Sequence, residues 1–199
     1  MTQTTVALVR HGQTDWNLLG KVQGATDIPL NATGEAQARE TAASLQGQDW
    51  GALLCSPLQR ARTTAQIIAS ILDLPEPIIV PELQERGFGE LEGLTGPERT
   101  ARQAQPEPLI GVESTTDVVR RAQPAITRQA LARPGQHVLI VTHGGVIGSL
   151  LLKITDGRLP GREDIIPNGA VNEFDIDGDG GWTLRAYAAE PSRLYPSVP

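Results

Sequence analysis

The chain has 199 residues, with 17 basic and 23 acidic side chains and a formal net charge of −6. We expect one domain over residues 1–199, because a chain of this length can bury a substantial core. The acidic balance argues against non-specific binding to nucleic acid, and no apolar run approaches the roughly 20 residues of a membrane span. The first residues are not typical of a signal peptide, and a single cysteine cannot form an intrachain disulfide. These features predict a cytoplasmic protein that binds neither membranes nor nucleic acid.

The first chemically informative stretch lies where the first apolar run ends. Residues 6–9 are apolar and predict a buried strand, which Arg10-His11-Gly12 follows directly. We expect Gly12 to permit a sharp turn at the carboxyl end of this strand, the edge at which open α/β sheets bind ligands. An arginine fork suits phosphate or carboxylate, so His11 with Arg10 beside it is a candidate site for such a group.

The next elements bring a second arginine to the start of a helix. A helix is predicted to begin near residue 33, with Thr33 as its cap, and to end near residue 47. Residues 52–55 predict a second buried strand, and a helix follows over about 58–72. Arg60 lies in the first turn of that helix, where the helix dipole and free N–H groups favour an anion.

A cysteine at the end of the second strand raises the alternative of a thiolate phosphatase. Such enzymes require a fixed spacing from cysteine to arginine, and Ala61 occupies the arginine position here. We therefore interpret Cys55 as a small buried strand residue.

Carboxylates follow the third apolar run. Residues 78–80 predict a short strand, and residues 81–93 are rich in glutamate and glycine. Residues 94–114 have no strong periodicity, so they form either a lid that confers specificity or an irregular surface connection. Three arginines in this region could contact an acidic part of a substrate: Arg86, Arg99 and Arg102.

A second histidine repeats the opening pattern. Residues 137–142 predict an apolar strand, His143-Gly144 follows it, and a helix continues to about residue 152. His11 and His143 meet at one edge of the sheet only if their strands are parallel, which the helices between them permit.

The remaining elements predict a helix, a hairpin and a tail. Residues 115–132 predict a helix that Pro124 kinks or interrupts. Residues 168–187 predict a hairpin, whose turn resembles the start of a calcium loop. Ala186 stands where that loop needs a bidentate carboxylate, so we expect no ion site. Residues 191–199 predict a loose tail.

Taken together, these motifs resemble the histidine phosphatase superfamily, also called the phosphoglycerate mutase-like family. The resemblance rests on four separated motifs in the order of the family: Arg10-His11-Gly12, Arg60, Glu85 and His143-Gly144. It covers most of the chain and implies a three-layer α/β/α sandwich around a mostly parallel sheet.

The resemblance also implies a role for each residue. His11 would attack the substrate and form a phosphohistidine, and Glu85 would donate a proton to the leaving group. Arg10, Arg60 and His143 would stabilise the phosphoryl group, and the two arginines would disfavour imidazolium at His11. Substrate contacts are implied for Asn17, Gln23, Gly24 and Gly144. Neither a metal nor a cofactor is expected, because these cations supply the positive charge.

Three functions remain open at this point. A phosphatase acting on a small phosphorylated metabolite is favoured, because the insertion after Glu85 is short and lacks an adjacent arginine pair. Gln23 also stands where mutases usually carry serine or threonine. The alternatives are a cofactor-dependent phosphoglycerate mutase and a noncatalytic phosphoester-binding module, which would be expected to lose His11 or Glu85. The substrate and the oligomeric state are not predicted.

Overall fold

A six-stranded sheet lies at the centre of the computed structural model, which describes residues 3–161 and 164–189. Its strands are β1 (Thr4–Arg10), β2 (Trp50–Cys55), β3 (Ile78–Ile79), β4 (His137–Thr142), β5 (Val171–Ile176) and β6 (Trp182–Ala189). Their spatial order is β3-β2-β4-β1-β5-β6. Within this sheet β5 alone runs against its neighbours, which confirms the predicted mostly parallel arrangement.

The helices are α1 (Asp15–Leu18), α2 (Ala32–Ser44), α3 (Gln59–Leu72), α4 (Gly96–Gln103), α5 (Thr115–Leu131) and α6 (Gly144–Ile154). Four of them, α2, α3, α5 and α6, contribute to the two hydrophobic cores on the faces of the sheet. Successive strand residues point to opposite faces. Val6 and Leu8 of β1 therefore pack with α5 and α6, whereas Ala7 and Val9 pack with α2 and α3. These two cores confirm the three-layer α/β/α sandwich.

The central strand pair brings both candidate histidines to one edge. β1 and β4 are parallel, with Arg10 opposite Thr142, so the residue after each strand is a histidine. The backbone N–H of His11 donates to the Thr142 carbonyl at 3.0 Å and extends the ladder by one residue. The expected parallel pairing is thus confirmed.

The predicted helix cap was wrong. Asn31, not Thr33, caps α2, because the helix begins at Ala32 and the Asn31 side chain accepts the Gly34 N–H at 2.9 Å. Of the two alternatives for Pro124, the interruption is also wrong, since Pro124 lies inside α5 without ending it. Burial of one face of α5 against the sheet stabilises the helix enough to tolerate the missing backbone hydrogen bond.

The predicted hairpin is present as β5 and β6. Asp177 shapes the turn, since its carboxylate accepts the N–H groups of Asp179 at 2.9 Å and Gly181 at 2.8 Å. In the part of the chain that is described, no helix has both the length and the apolar composition required to cross a membrane. The tail predicted at 191–199 lies outside the described residues.

Candidate active site

Two imidazole rings meet at the carboxyl edge of β1 and β4. The centroids of His11 and His143 are 5.1 Å apart and their planes make an angle of 61°. Both side chains are buried, at 2% and 0% exposure. Parallel pairing of the two strands therefore places both groups in one small volume.

Hydrogen bonding fixes which nitrogen of His11 carries the proton. Its Nδ1 lies 2.6 Å from the Gly12 carbonyl, which can only accept, so Nδ1 carries the proton. Nε2 then keeps its lone pair, and Arg60 Nε donates to it at 3.3 Å. Burial, followed by the charges of Arg10 and Arg60, holds the pKa of His11 well below its usual value. His11 is thus a neutral imidazole with a lone pair on Nε2.

Gly12 is required by packing and not by an unusual backbone turn. It is absent from the residues with positive φ. A Cβ on Gly12 would instead overlap the backbone of Gly34, at the start of α2. The glycine in the motif therefore lets α2 approach the loop that carries His11.

Arg60 is fixed by the loop across the cleft. Its side chain is fully buried, and its guanidinium donates to the carbonyls of Thr26 and Gly24, both at 2.8 Å. Arg10 donates through Nη1 to the Ile166 carbonyl, while its Nε is buried without a hydrogen-bond partner among the described residues. Both guanidinium groups are therefore held beside His11, with donor capacity left at Arg10.

His143 is oriented by a serine that sequence reasoning missed. Its Nε2 lies 2.7 Å from Ser56 Oγ, which also accepts the Leu58 N–H at 3.3 Å. A hydroxyl can both donate and accept, so Ser56 Oγ can pair with Nε2 in either neutral tautomer of His143. Nδ1 is buried with no partner in the described structure. Burial, followed by the charge of Arg60, lowers the pKa of His143 well below its usual value.

Glu85 approaches the same cleft from the segment after β3. Backbone N–H groups donate to both of its oxygens, from Arg86 at 2.7 Å and from Gly145 at 3.1 Å. Burial raises its pKa, and these donors together with Arg60 and Arg10 oppose the rise only in part. This environment favours the protonated form of Glu85 more than water does.

Arg121 of α5 braces the segment that carries Glu85. Its guanidinium donates to the carbonyls of Glu82 at 2.6 Å, Gln84 at 2.7 Å and Glu85 at 3.2 Å. It also pairs with both oxygens of Glu113, at 2.7 and 2.9 Å. The Arg121 side chain thus holds the loop at three of its backbone carbonyls.

A cleft of about 220 Å³ opens beside these groups. Seven of the predicted site residues contribute to the same neighbourhood, and those lining the cleft are Arg10, His11, Asn17, Gln23, Gly24, Arg60 and Glu85. Gln23 accepts the Thr14 hydroxyl at 2.9 Å through Oε1, so its amide N–H groups remain for a ligand. His143 and Gly144 do not line this cleft, although the His143 ring adjoins that of His11 and a Cβ on Gly144 would be 3.3 Å from Arg10 Nε.

A larger hollow of about 400 Å³ lies at the opposite edge of the sheet, near Thr4 and Ile176. Its lining includes Asp177 and Asp179 of the hairpin turn, but neither a histidine nor an arginine among the described residues. The groups suited to an anionic substrate therefore converge on the smaller cleft.

Comparisons with known proteins identify the family of this chain. A model of the histidine phosphatase superfamily (branch 1) matches residues 6–190. The chain is 38% identical over 185 residues to the uncharacterized phosphatase PhoE of Bacillus subtilis, across 92% of this chain and 94% of that protein. It is 34% identical over 197 residues to the metal-independent phosphoserine phosphatase of Arabidopsis thaliana, across 93% and 81% of the two chains.

A solved structure shares the fold across most of both chains. The phosphoserine phosphatase of Entamoeba histolytica, in complex with 3-phosphoglyceric acid, superposes with a TM-score of 0.79 at 28% identity. The match covers 94% of this chain and 98% of that one. The chain therefore belongs to the histidine phosphatase superfamily, branch 1, and its relatives are named as phosphatases or as phosphoglycerate mutases.

Proposed function

We propose that this chain is a metal-independent phosphatase that hydrolyses small phosphomonoesters through a phosphohistidine on His11. The observation that carries the proposal is a pair of buried nitrogens with no partner among the described residues, Arg10 Nε and His143 Nδ1, on side chains that adjoin the neutral His11. Buried polar groups are normally satisfied, so an unpaired set around a nucleophile favours a ligand with several acceptor oxygens. A phosphoryl group has that character.

In the first step His11 Nε2 attacks phosphorus in line with the ester oxygen. The N–P bond forms as the P–O bond breaks, and Glu85 gives its proton to the leaving alkoxide. Negative charge spreads over the equatorial oxygens, where Arg10, Arg60 and His143 can donate to it. These groups are in place before the reaction, so little reorganisation is required.

In the second step the ionised Glu85 takes a proton from water, whose oxygen attacks the phosphohistidine. The N–P bond breaks, inorganic phosphate leaves, and both His11 Nε2 and protonated Glu85 are restored. The positive charge in this scheme comes from arginine side chains. The name of the Arabidopsis relative, a metal-independent phosphoserine phosphatase, supports a reaction that needs no metal.

The size of the cleft supports a small substrate. Pockets for drug-sized ligands range over about 300–1,000 Å³. The volume here is about 220 Å³, which fits a phosphate and a few further atoms. The two relatives named for phosphoserine are consistent with a substrate of that size.

The proposal is tested by phosphate release from p-nitrophenyl phosphate in the presence of EDTA. The parent protein should be active, and His11→Ala should lose both turnover and the acid-labile phosphoprotein that an alkaline quench traps in the parent. His137→Gln is the matched control, because His137 lies at the opposite end of β4. Inactivity of the parent over a broad pH range would support a binding module, and loss of activity on chelation would contradict metal independence.

A second assay separates hydrolase from mutase. The parent should release phosphate from phosphomonoesters faster than it converts 3-phosphoglycerate to its isomer. Efficient isomerisation that depends on priming by 2,3-bisphosphoglycerate would overturn the assignment as a phosphatase.

A further inference from the structure

Two cations line the cleft in addition to the arginines that face the phosphoryl group. Lys21 and Arg99 both border it. Lys21 is half-buried and Arg99 is exposed, whereas Arg60 is fully buried. These two cations therefore lie toward the mouth. Within residues 3–161 and 164–189 neither side chain has an ion-pair or hydrogen-bond partner, although Lys21 Nζ lies 5.8 Å from the centroid of the Trp16 ring.

Backbone hydrogen bonds join the two segments that carry these cations. The Val22 N–H donates to the Leu94 carbonyl at 3.0 Å, and the Gly93 N–H donates to the Val22 carbonyl at 2.8 Å. Lys21 itself forms an antiparallel bridge with Thr95, the residue that caps α4. Arg99 lies one turn into that helix, so Lys21 and Arg99 belong to one hydrogen-bonded unit at the rim of the cleft.

The nearby acids are already engaged. Glu98 accepts the backbone N–H and the hydroxyl of Thr95, both at 2.7 Å, and these bonds, with a smaller contribution from Lys21, lower its pKa. Glu90 accepts from Arg102 at 2.8 Å and from the Ile110 N–H at 2.7 Å. The rim therefore keeps cationic capacity in a chain whose net charge is −6.

We propose that Lys21 and Arg99 form a second anion subsite that binds a carboxylate on the substrate. The inference rests on the proposed function, because it places the phosphoryl group at His11. A guanidinium fork and an ammonium suit a carboxylate, and both cations border the same small cleft. The substrate class is therefore a compact phosphomonoester whose carboxylate lies a few bonds from the ester oxygen.

The test uses two substrates that differ only in the carboxylate, phosphoserine and phosphoethanolamine. The parent should prefer phosphoserine in kcat/KM. The double variant Lys21→Met/Arg99→Met should lower the ratio of the two kcat/KM values by about tenfold, mainly through the KM of phosphoserine. Arg62→Met/Arg120→Met is the control, since it removes the same charge from exposed residues outside the cleft and should preserve the ratio.

Two results would overturn the subsite. One is an unchanged ratio in the cleft variant, which includes equal losses on both substrates, and the other is an equal fall of the ratio in the control, which would indicate general charge steering. A variant that lost discrimination only between glucose 1,6-bisphosphate and glucose 6-phosphate would assign the cations to a second phosphate and refute the carboxylate.

Calorimetric binding keeps this test separate from the proposed function. With His11→Ala as the background to suppress turnover, phosphoserine should bind more tightly than phosphoethanolamine, and the Lys21 and Arg99 substitutions should remove the difference. This result holds even if the parent hydrolyses nothing, in which case the phosphatase proposal fails and the subsite stands. Equal affinity for the two ligands in that background would refute the subsite.

Discussion

Opposing effects act on the pKa of Glu85, and burial outweighs the others. Burial raises the pKa of its carboxyl, whereas two backbone N–H donors and two arginines act in the other direction. A bound phosphate dianion would add a like charge and raise the pKa further. The residue is therefore suited to carry a proton when substrate is bound and to lose it to the leaving group.

We predict that Glu85→Gln lowers kcat/KM for alkyl phosphates by about 10²–10⁴-fold, the usual contribution of a general acid. Aryl phosphates should suffer much less, because their leaving groups need little protonation. A raised pKa keeps the acid form to higher pH, so the parent should lose activity on alkyl phosphates as pH rises through that pKa. This decline with pH should be absent in Glu85→Gln. The measurement is the pH dependence of kcat/KM for both proteins on an alkyl and an aryl phosphate.

Glu76→Gln is a suitable control for this experiment, because Glu76 is exposed and lies outside the cleft. It should leave both pH profiles unchanged. Equal losses on alkyl and aryl phosphates in Glu85→Gln would count against the acid role.

Site residues that directly follow a strand or lie at the start of a helix could be predicted from the sequence. Site residues whose contacts join distant parts of the chain could not. His11, Arg60 and His143 each carry a local pattern of strand, turn or helix start. No local pattern marks Ser56, because its contact with His143 joins residues 87 positions apart. Asn168, whose amide donates to the His11 carbonyl at 2.9 Å, was missed for the same reason.

At the scale of elements, α5 positions the loop that carries Glu85 without touching the cleft at His11. Arg121 reaches from this helix to three carbonyls of residues 82–85 and to Glu113. Glu113 in turn accepts the Gly87 N–H at 3.1 Å. Both ends of the loop are thus anchored, and Arg121 is a positioning residue for the carboxyl of Glu85.

We predict that Arg121→Met lowers kcat for alkyl phosphates about tenfold or more, with a much smaller effect on aryl phosphates and on KM. Arg121→Lys should recover only part of this loss, because one ammonium cannot replace a fork that serves four acceptor groups. Arg128→Met is the control, since Arg128 lies on the same helix and makes an exposed ion pair with Glu82. A purely structural role would instead reduce both activities equally, together with the melting temperature.

The helix within residues 94–114 shows that some of the missed structure was visible in the sequence. Thr95 and Glu98 form a capping box at the start of α4, and Thr-x-x-Glu is the sequence signature of that motif. The proline and arginine content of this segment instead favoured a lid or an irregular connection. By contrast, Lys21 and Arg99 are brought together by pairing of residues 21–22 with 93–95, which no local pattern encodes.

For the whole molecule, the parallel sheet concentrates buried ionisable groups at one edge. His11 and His143 stay neutral there because burial and the arginine charges lower the pKa of each. In the unfolded chain each histidine has a pKa of about 6.5. Below that pH the unfolded chain takes up protons that the folded protein does not, so the free energy of unfolding must fall with pH.

We predict that stability falls by about 1.4 kcal/mol per pH unit for each of these histidines as pH drops below about 6.5. Urea unfolding of the parent and of His143→Gln between pH 6.5 and 5 should show a smaller slope in the variant. Glu85 acts with the opposite sign, because its raised pKa lets the folded protein bind a proton before the unfolded chain does. In a Glu85→Gln background the opposing contribution of Glu85 is removed. The free energy of unfolding of both proteins should then fall more steeply as pH drops. If the slope in that background were the same with and without His143, this histidine would not be held neutral by the fold.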